Sequence, residues 1–233
     1  MNFLSRSRLK FPTLAALLSC AVVTAQASTI IIDSTTLNGS FENPDDSNQT
    51  TFDSWTTGGN VAAIQRNNNN AALVTDGSYS LVVGTQTTSG DKLGAMMNTG
   101  YVVSTGDSFL LSFDWANAFN WDAEDRIDWR LFTSDDNTLT GTLTTIGLGD
   151  TGTDSDTTVN TFDTESITTG TITAPSVGQQ LWIEFYSSTT TLTGTSGEFA
   201  RVDNVVLTAI PEPSAVLVGL VSCGLLLVRR RRR

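Results

Sequence analysis

Three short segments of the chain have apolar residues at every second position, and this period of two constrains the fold more than any other feature. The segments are Ser108–Trp115, Arg126–Phe132 and Leu181–Tyr186. Successive side chains of a β-strand point to opposite faces, so a period of two indicates strands with one buried face. No stretch of 12 or more residues shows the spacing of an amphipathic helix, so we expect sheets without helices over residues 28–209.

Further short apolar runs are candidate strands, and turn-forming residues separate them. Asn38-Gly39 and Asp76-Gly77 are pairs that favour turns, because asparagine, aspartate and glycine tolerate left-handed backbone. Strands at this spacing predict an all-β fold, an antiparallel β-sandwich or jelly roll in which each sheet buries one face. The candidate strands are Thr51–Trp55, Val61–Ile64, Ser80–Val83, Met96–Val103, Thr138–Thr145 and Arg201–Thr208.

The first 27 residues have the composition of a secretory signal peptide. Arg6, Arg8 and Lys10 precede an apolar run, and Ala25-Gln26-Ala27 is the small-x-small pattern at which signal peptidase cleaves. A permanent N-terminal membrane anchor is the alternative, but a span needs about 20 apolar residues and this run is shorter. We therefore expect this segment to be removed by signal peptidase on export.

Residues 210–233 combine a proline break, an apolar segment and a terminal basic cluster. Pro211-Glu212-Pro213 interrupts any helix between this tail and the preceding domain. The apolar run 215–228 would span only about 21 Å as a helix, whereas a hydrocarbon core is about 30 Å thick. The positive-inside tendency keeps the basic cluster cytoplasmic, so we expect residues 28–209 on the other side of the membrane. The cluster consists of Arg229, Arg230, Arg231, Arg232 and Arg233.

This three-part tail resembles the PEP-CTERM sorting signal. The resemblance covers the last 24 residues and rests on Pro211-Glu212-Pro213, the apolar helix and the arginine cluster. It implies that a membrane peptidase, exosortase, recognises and processes the tail in a Gram-negative bacterium that makes exopolysaccharide. It also implies a transient stay in the inner membrane, followed by the cell envelope, the outer surface or the extracellular matrix. An ordinary single-pass tail anchor is the alternative.

Residues 28–209 are strongly acidic. They carry five basic residues against all but one of the 24 acidic residues of the chain, which gives a net charge of −18. A field of that sign repels nucleic acid and anionic lipid, so we exclude a nucleic-acid partner. The chain has no histidine, which excludes catalysis that needs imidazole. Cys20 and Cys223 both lie outside this domain, so no disulfide braces it.

Three segments resemble, in the right order, jelly-roll carbohydrate-binding modules of the galactose-binding-like fold. Residues 38–42 resemble the opening strand, residues 76–81 the second or third strand, and residues 201–207 the closing strand. The resemblance implies a structural Ca2+ where the first and last strands meet, with Glu42 and Asp203 as ligands. Calcium takes six to eight oxygens from carboxylates and carbonyls. The alternative is that both carboxylates are solvated or accept hydrogen bonds from loop backbone.

The polar side of Leu181–Tyr186 offers two aromatic rings with a carboxylate between them, a mixture that suits a sugar. If this strand pairs with Arg126–Phe132, polar residues of both strands share one sheet face. We then expect Trp121, in the loop of residues 117–124 that precedes Arg126–Phe132, to overhang that face. The alternative is a sheet buried on both faces, with Trp182 and Tyr186 in a core. The candidate glycan-binding residues are Trp182, Glu184, Tyr186, Arg126, Asp128, Arg130 and Trp121.

We therefore expect an exported, non-enzymatic protein that binds glycan or exopolysaccharide. A purely structural surface or matrix protein is the second hypothesis. A glycoside hydrolase is the third, since it needs two carboxylates about 5 to 10 Å apart, but no glycosidase motif surrounds the candidates. Those candidate carboxylates are Asp122, Glu124, Asp125, Asp128 and Glu184.

Overall fold

Strands and short connections make up the part of the chain that the computed structural model describes, which is residues 27–43, 53–56, 61–63, 65–66, 74–85, 92–121, 125–136, 139–151, 161–173, 176–187 and 197–211. Ser28–Pro211 forms one compact unit. Among the described residues, none belongs to a helix long and apolar enough to cross a lipid bilayer. The strands are β1 Thr29–Ile32, β2 Val61–Ala63, β3 Gln65–Arg66, β4 Leu81–Thr85, β5 Lys92–Leu93, β6 Ala95–Val102, β7 Ser108–Phe119, β8 Ile127–Ser134, β9 Leu143–Thr151, β10 Phe162–Thr168, β11 Gln180–Ser187 and β12 Glu198–Ile210.

The strands form two sheets. The first has the order β10-β7-β12-β4-β5-β2, with β1 also paired to β12 and β3 to β4. On the side away from β7, the long strand β12 pairs with β4 along its first part and with β1 along its last part. The second sheet has the order β6-β11-β8-β9. Pairing is antiparallel except between β2 and β5.

The alternating segments supply the core between the two sheets. Phe113 of the first sheet and Phe185 of the second meet edge to face, with ring centroids 5.0 Å apart. Burying a side chain of this size contributes about 1.5 to 3 kcal/mol, so these strands are held chiefly by their inner faces. The prediction of an all-β antiparallel sandwich of jelly-roll type is confirmed. The core positions of β7, β8 and β11 are Phe109, Leu111, Phe113, Trp115, Ile127, Trp129, Leu131, Leu181, Ile183 and Phe185.

Four predicted strand segments differ from the observed structure. Of Thr51–Trp55, residues 53 and 54 form a turn, Thr56 makes only an isolated bridge with Met96, and residues 51–52 lie outside the described residues. Residues 76–80 form the turn before β4, which begins only at Leu81.

The sequence predicts a strand at Thr138–Thr145, but β9 begins only at Leu143, because Asp135, directly after β8, holds the hairpin loop. The backbone N–H of Thr142 donates to Oδ1 of Asp135 at 2.8 Å, which is a turn contact rather than a ladder contact.

The expected opening strand at residues 38–42 is a turn, and the first strand among the described residues is β1. Leu37, Asn38 and Phe41 have φ angles of 58°, 56° and 61°, which an extended strand excludes. Gly39 lies so close to β12 that an added Cβ would be 2.3 Å from the carbonyl oxygen of Val205. The predicted closing strand at residues 201–207 is correct and lies within β12.

Candidate functional site

The outer face of the second sheet collects the polar residues of β8 and β11. The register places Glu184 opposite Arg130 and Tyr186 opposite Asp128, so the predicted pairing of these two strands is confirmed. Directly opposed side chains of an antiparallel ladder are about 4.5 to 5.5 Å apart at Cβ. Four of the seven candidate glycan-binding residues therefore form two adjacent rows on one face.

An ion pair lies in the middle of this outer face. Nε and Nη2 of Arg130 donate to Oε2 of Glu184 at 3.0 and 2.6 Å. The guanidinium carbon of Arg130 also lies 4.3 Å from the ring centroid of Phe132, a cation–π contact. The Glu184 side chain is 11% exposed and that of Arg130 is 30% exposed. Both charged groups are therefore held in place before any ligand arrives, yet the guanidinium still reaches solvent.

The row that contains Trp182 is closed to solvent. Trp182 is only 7% exposed, and its ring stacks on that of Phe132 with centroids 6.1 Å apart. These two rings form a small cluster with Met96, and Leu139 packs against it. Trp182 therefore has the buried position of the alternative interpretation, while Tyr186 does not, because it is only half-buried.

The row of Tyr186 and Asp128 is the more open end of the face. Both residues are half-buried, whereas Trp182 and Phe132 at the other end are buried. In the middle row, Leu148 of β9 lies opposite Arg130 and is 70% exposed. Burial raises the pKa of the Tyr186 hydroxyl, the negative charges of Asp128 and Glu184 raise it further, and Arg130 lowers it. At neutral pH this row presents a neutral phenol beside fixed charges.

Two candidate residues lie away from these rows. Arg126 immediately precedes β8 and is half-buried, and its Nη1 donates to the carbonyl oxygen of Asp125 at 2.6 Å. Trp121 is 9% exposed and belongs to the main hydrophobic core. The expectation that Trp121 overhangs the outer face is therefore wrong, because burial against the core is more favourable for an indole than a solvated loop position.

Sequence reasoning missed four residues of this face: Met96, Phe132, Leu139 and Leu148. Phe132 could have been found, because it alternates with Asp128 and Arg130 along β8. The other three belong to β6, β9 and the hairpin loop before β9. No local pattern assigns them to this face, since only strand order and register bring them there.

Glu42 and Asp203, the expected calcium ligands, both bind the turn at residues 75–79. Oδ2 of Asp203 accepts hydrogen bonds from the backbone N–H groups of Thr75 and Asp76 at 2.7 and 3.0 Å. Oε1 of Glu42 accepts from the backbone N–H groups of Ser78 and Tyr79 at 2.9 and 2.7 Å. We call this pair of carboxylates the turn clamp.

Asp203 is fully buried, and burial raises the pKa of its carboxyl to about 6 although backbone hydrogen bonds lower it. The hydroxyl of Thr75 also donates to Oδ2 at 3.2 Å, and the N–H of Asn204 donates to Oδ1 at 2.7 Å. These donors use lone pairs that a cation would need. Within the described ranges, no group of three acidic, cysteine or histidine side chains is arranged for a metal. The contacts match the alternative, hydrogen bonding to loop backbone, and calcium at this position stays a prediction.

The predicted cleavage and sorting residues lie almost entirely outside the described residues. Ala27 and Pro211 are described, and Pro211 directly follows the last residue of β12. Signal peptide cleavage, the C-terminal helix and exosortase processing therefore stay predictions. The residues outside the description are Ala25, Glu212, Pro213, the helix 215–228, Arg229, Arg230, Arg231, Arg232 and Arg233.

The chain resembles several solved structures at low sequence identity. A cyclase from Fischerella sp. TAU aligns with a TM-score of 0.54 and 17% identity, covering 79% of this chain and 98% of the cyclase. A complex of the Stig cyclase Fisc from the same source aligns with a TM-score of 0.53 and 18% identity, covering 79% and 99%. The CBM22-1 xylan-binding domain of Xyn10C from Paenibacillus barcinonensis aligns with a TM-score of 0.48 and 14% identity, covering 80% and 98%. The two cyclase structures show a shared fold and no more.

No family model matches the chain. No curated protein matches it either.

Proposed function

We propose that the β-sandwich binds a glycan on the outer face of its second sheet, without catalysis, after export from the cell. The observation that supports this most directly is the fixed Arg130–Glu184 pair beside the half-buried ring of Tyr186. A sugar ring presents C–H groups on one face and hydroxyls around its rim. A tyrosine ring matches the first and a bound carboxylate–guanidinium pair matches the second.

Preorganisation favours this face as a binding surface. The guanidinium of Arg130 and the carboxylate of Glu184 are already in contact, so glycan binding needs little further ordering of these two long side chains. Leu148 adds exposed apolar area next to the pair. A sugar lying along β11 would contact Tyr186 with its C–H face and Arg130 with its hydroxyls.

Charge indicates the class of glycan. With a net charge of −18 on residues 28–209, the domain repels acidic polysaccharides at low ionic strength. We therefore expect neutral polysaccharide to bind more tightly than a uronic-acid polymer of the same length.

The tail and the signal peptide support a location outside the inner membrane. A short apolar run capped by five arginines favours a cytoplasmic C-terminus. The proposed partners during export are signal peptidase and exosortase, and the proposed final place is the cell envelope or extracellular matrix, where exopolysaccharide is available as a ligand.

Affinity electrophoresis of the domain in gels that contain neutral or acidic polysaccharides, including the host's own exopolysaccharide, tests the proposal. We expect retardation by at least one neutral polysaccharide and binding about tenfold weaker in Tyr186→Ala, since ring stacking is worth about 0.5 to 1.5 kcal/mol beyond buried area. Tyr186→Phe keeps the ring and should retain most of the affinity. Ile30→Ala changes a 57% exposed residue of the first sheet and serves as the distant control.

Two outcomes would favour the other hypotheses. No retardation by any polysaccharide, or equal retardation of Tyr186→Ala and wild type, would favour a purely structural matrix protein. Glycan turnover by the wild type that Glu184→Gln abolishes would instead favour a glycoside hydrolase.

A further inference from the structure

The indole of Trp182 is buried without a hydrogen-bond acceptor for its N–H group. It is 7% exposed, and within the described part of the chain its Nε1–H has no hydrogen-bond acceptor. Trp55, which is 2% exposed, donates from Nε1 to the carbonyl oxygen of Asn38 at 3.2 Å. A buried indole N–H normally has such a partner, because an unpaired donor away from water is unfavourable.

A residue that packs against the cluster around Trp182 is itself in an unfavourable backbone conformation. Leu139, in the hairpin loop between β8 and β9, packs against Met96, Phe132 and Trp182. Its φ angle is 61°, in the left-handed region where the Cβ of leucine approaches the following carbonyl oxygen. Such conformations persist only where surrounding contacts hold them, and they are frequent at clamps and switches.

We propose that Leu139 is a lid over a second aromatic subsite, formed by Trp182 stacked on Phe132, which takes a further sugar residue of a long oligosaccharide. This inference rests on the proposed glycan-binding function. Trp182, Glu184 and Tyr186 are alternate residues of β11, so their side chains share one face over about 13 Å of strand. Displacement of Leu139 exposes the ring of Trp182 beside the ion pair and lets a sugar hydroxyl accept from Nε1–H.

The lid makes binding depend on chain length. A disaccharide bound at Tyr186 leaves Leu139 in place, whereas a hexasaccharide reaches the Trp182 subsite and must open it. Only a fraction of the molecules has Leu139 displaced at any time. The apparent affinity for the hexasaccharide is reduced by that fraction. Removing the Leu139 side chain eliminates that reduction.

Hydrogen exchange of the indole N–H groups, followed by NMR on wild-type protein, tests the lid without any ligand. The Trp182 Nε1–H should exchange on the order of a hundredfold faster than the Trp55 Nε1–H, since local opening needs less free energy than global unfolding. Trp182→Phe assigns the resonance. Equal protection of the two indoles would overturn the inference.

Binding of β-1,4-linked glucose oligomers to Leu139→Gly tests the length dependence. The matched control is Leu37→Gly, because Leu37 also has a positive φ angle, 58°, and packs against the main core. We expect the hexasaccharide to bind about tenfold more tightly to Leu139→Gly than to wild type or the control, with disaccharide affinity unchanged. If thermal melting shows that Leu139→Gly does not fold, Leu139→Ala replaces it.

The outcomes separate the lid from the proposed function. Equal hexasaccharide affinities in Leu139→Gly and Leu37→Gly, with binding intact, would overturn the lid and leave glycan binding standing. If no glycan in the gels or in solution binds any variant, the proposed function fails, and the indole exchange rates still decide whether Leu139 opens.

Discussion

The buried carboxyl of Asp203 should give the domain a stability that falls as the pH rises. Burial raises the pKa of Asp203 from its ordinary value of 3.8 to about 6. A difference of about two units corresponds to about 3 kcal/mol between the protonated and ionised forms. The folded state holds the proton more tightly than the unfolded state, so the stabilising contribution is complete below pH 3.8 and is lost as the pH rises through about 6.

Urea unfolding of wild type and Asp203→Asn at intervals between pH 4 and 8 measures this contribution. The difference in unfolding free energy, wild type minus variant, should fall by about 2 to 3 kcal/mol between pH 4 and 7, because the carboxyl is already partly ionised in the unfolded state at pH 4. The contributions of the other titratable groups are the same in both proteins and cancel in this difference. Asp33→Asn is the control, because its difference in unfolding free energy should change with pH in the opposite direction. Hydrogen bonds from Thr35 lower the pKa of Asp33, so its stabilising contribution is present at neutral pH and is lost as the pH falls. A pH-independent difference for Asp203 would refute the argument from burial.

The same variant tests the calcium prediction. A cation bound at the turn clamp would favour the ionised carboxylate, so the pH slope of Asp203 should vanish in excess calcium and return with a chelator. The chelator should also lower the melting temperature of the wild type, because a ligand that binds only the folded state stabilises it. Identical unfolding curves in calcium and in chelator would remove calcium from this position.

Two further changes have definite expected outcomes. Gly77→Ala should destabilise the domain by about 2 to 4 kcal/mol in urea unfolding, whereas Gly100→Ala should cost only about 1 kcal/mol. Both glycines have positive φ angles, 77° and 70°. An added Cβ at Gly77 would lie 2.4 Å from the carboxyl carbon of Glu42, whereas one at Gly100 would meet nothing within 4 Å. Equal losses of stability in the two variants would count against the turn clamp. Deletion of Arg229–Arg233 should leave the protein unprocessed in the inner membrane on cell fractionation, and a mature product outside that membrane would contradict the sorting prediction.

Local sequence predicted the strands that have apolar residues at every second position and missed those without a clear pattern. β7, β8 and β11 were found because each alternates over at least six residues, so their inner faces could be assigned from the chain alone. β10 is a sheet edge with largely exposed side chains, so hydrophobic periodicity did not indicate it. The opening strand was placed too late because residues 38–42 were assigned by resemblance, although Asn38-Gly39 favours a turn and Asn38 and Phe41 have positive φ angles.

The candidate site was predictable only where two strands were already known to pair. Glu184 and Arg130 were grouped from alternation and one assumed pairing, which the ladder confirms. Trp182 and Tyr186 look equivalent in sequence, since both are aromatic and lie on the same face of β11. Their exposure differs because Trp182 belongs to a buried cluster with Met96 of β6 and Phe132 of β8, against which Leu139 packs, whereas Tyr186 lies outside that cluster.

The amino-acid sequence by itself determined that the domain is all-β, acidic and free of disulfides, and which face of its best strands is buried, because these depend on composition and on a period of two. Tertiary structure alone decided that Asp203 and Glu42 hold one turn, that Trp121 belongs to the core and that Trp182 is covered. Each of these depends on residues far apart in the chain that meet only once strand order and register are fixed, and no local pattern encodes that meeting.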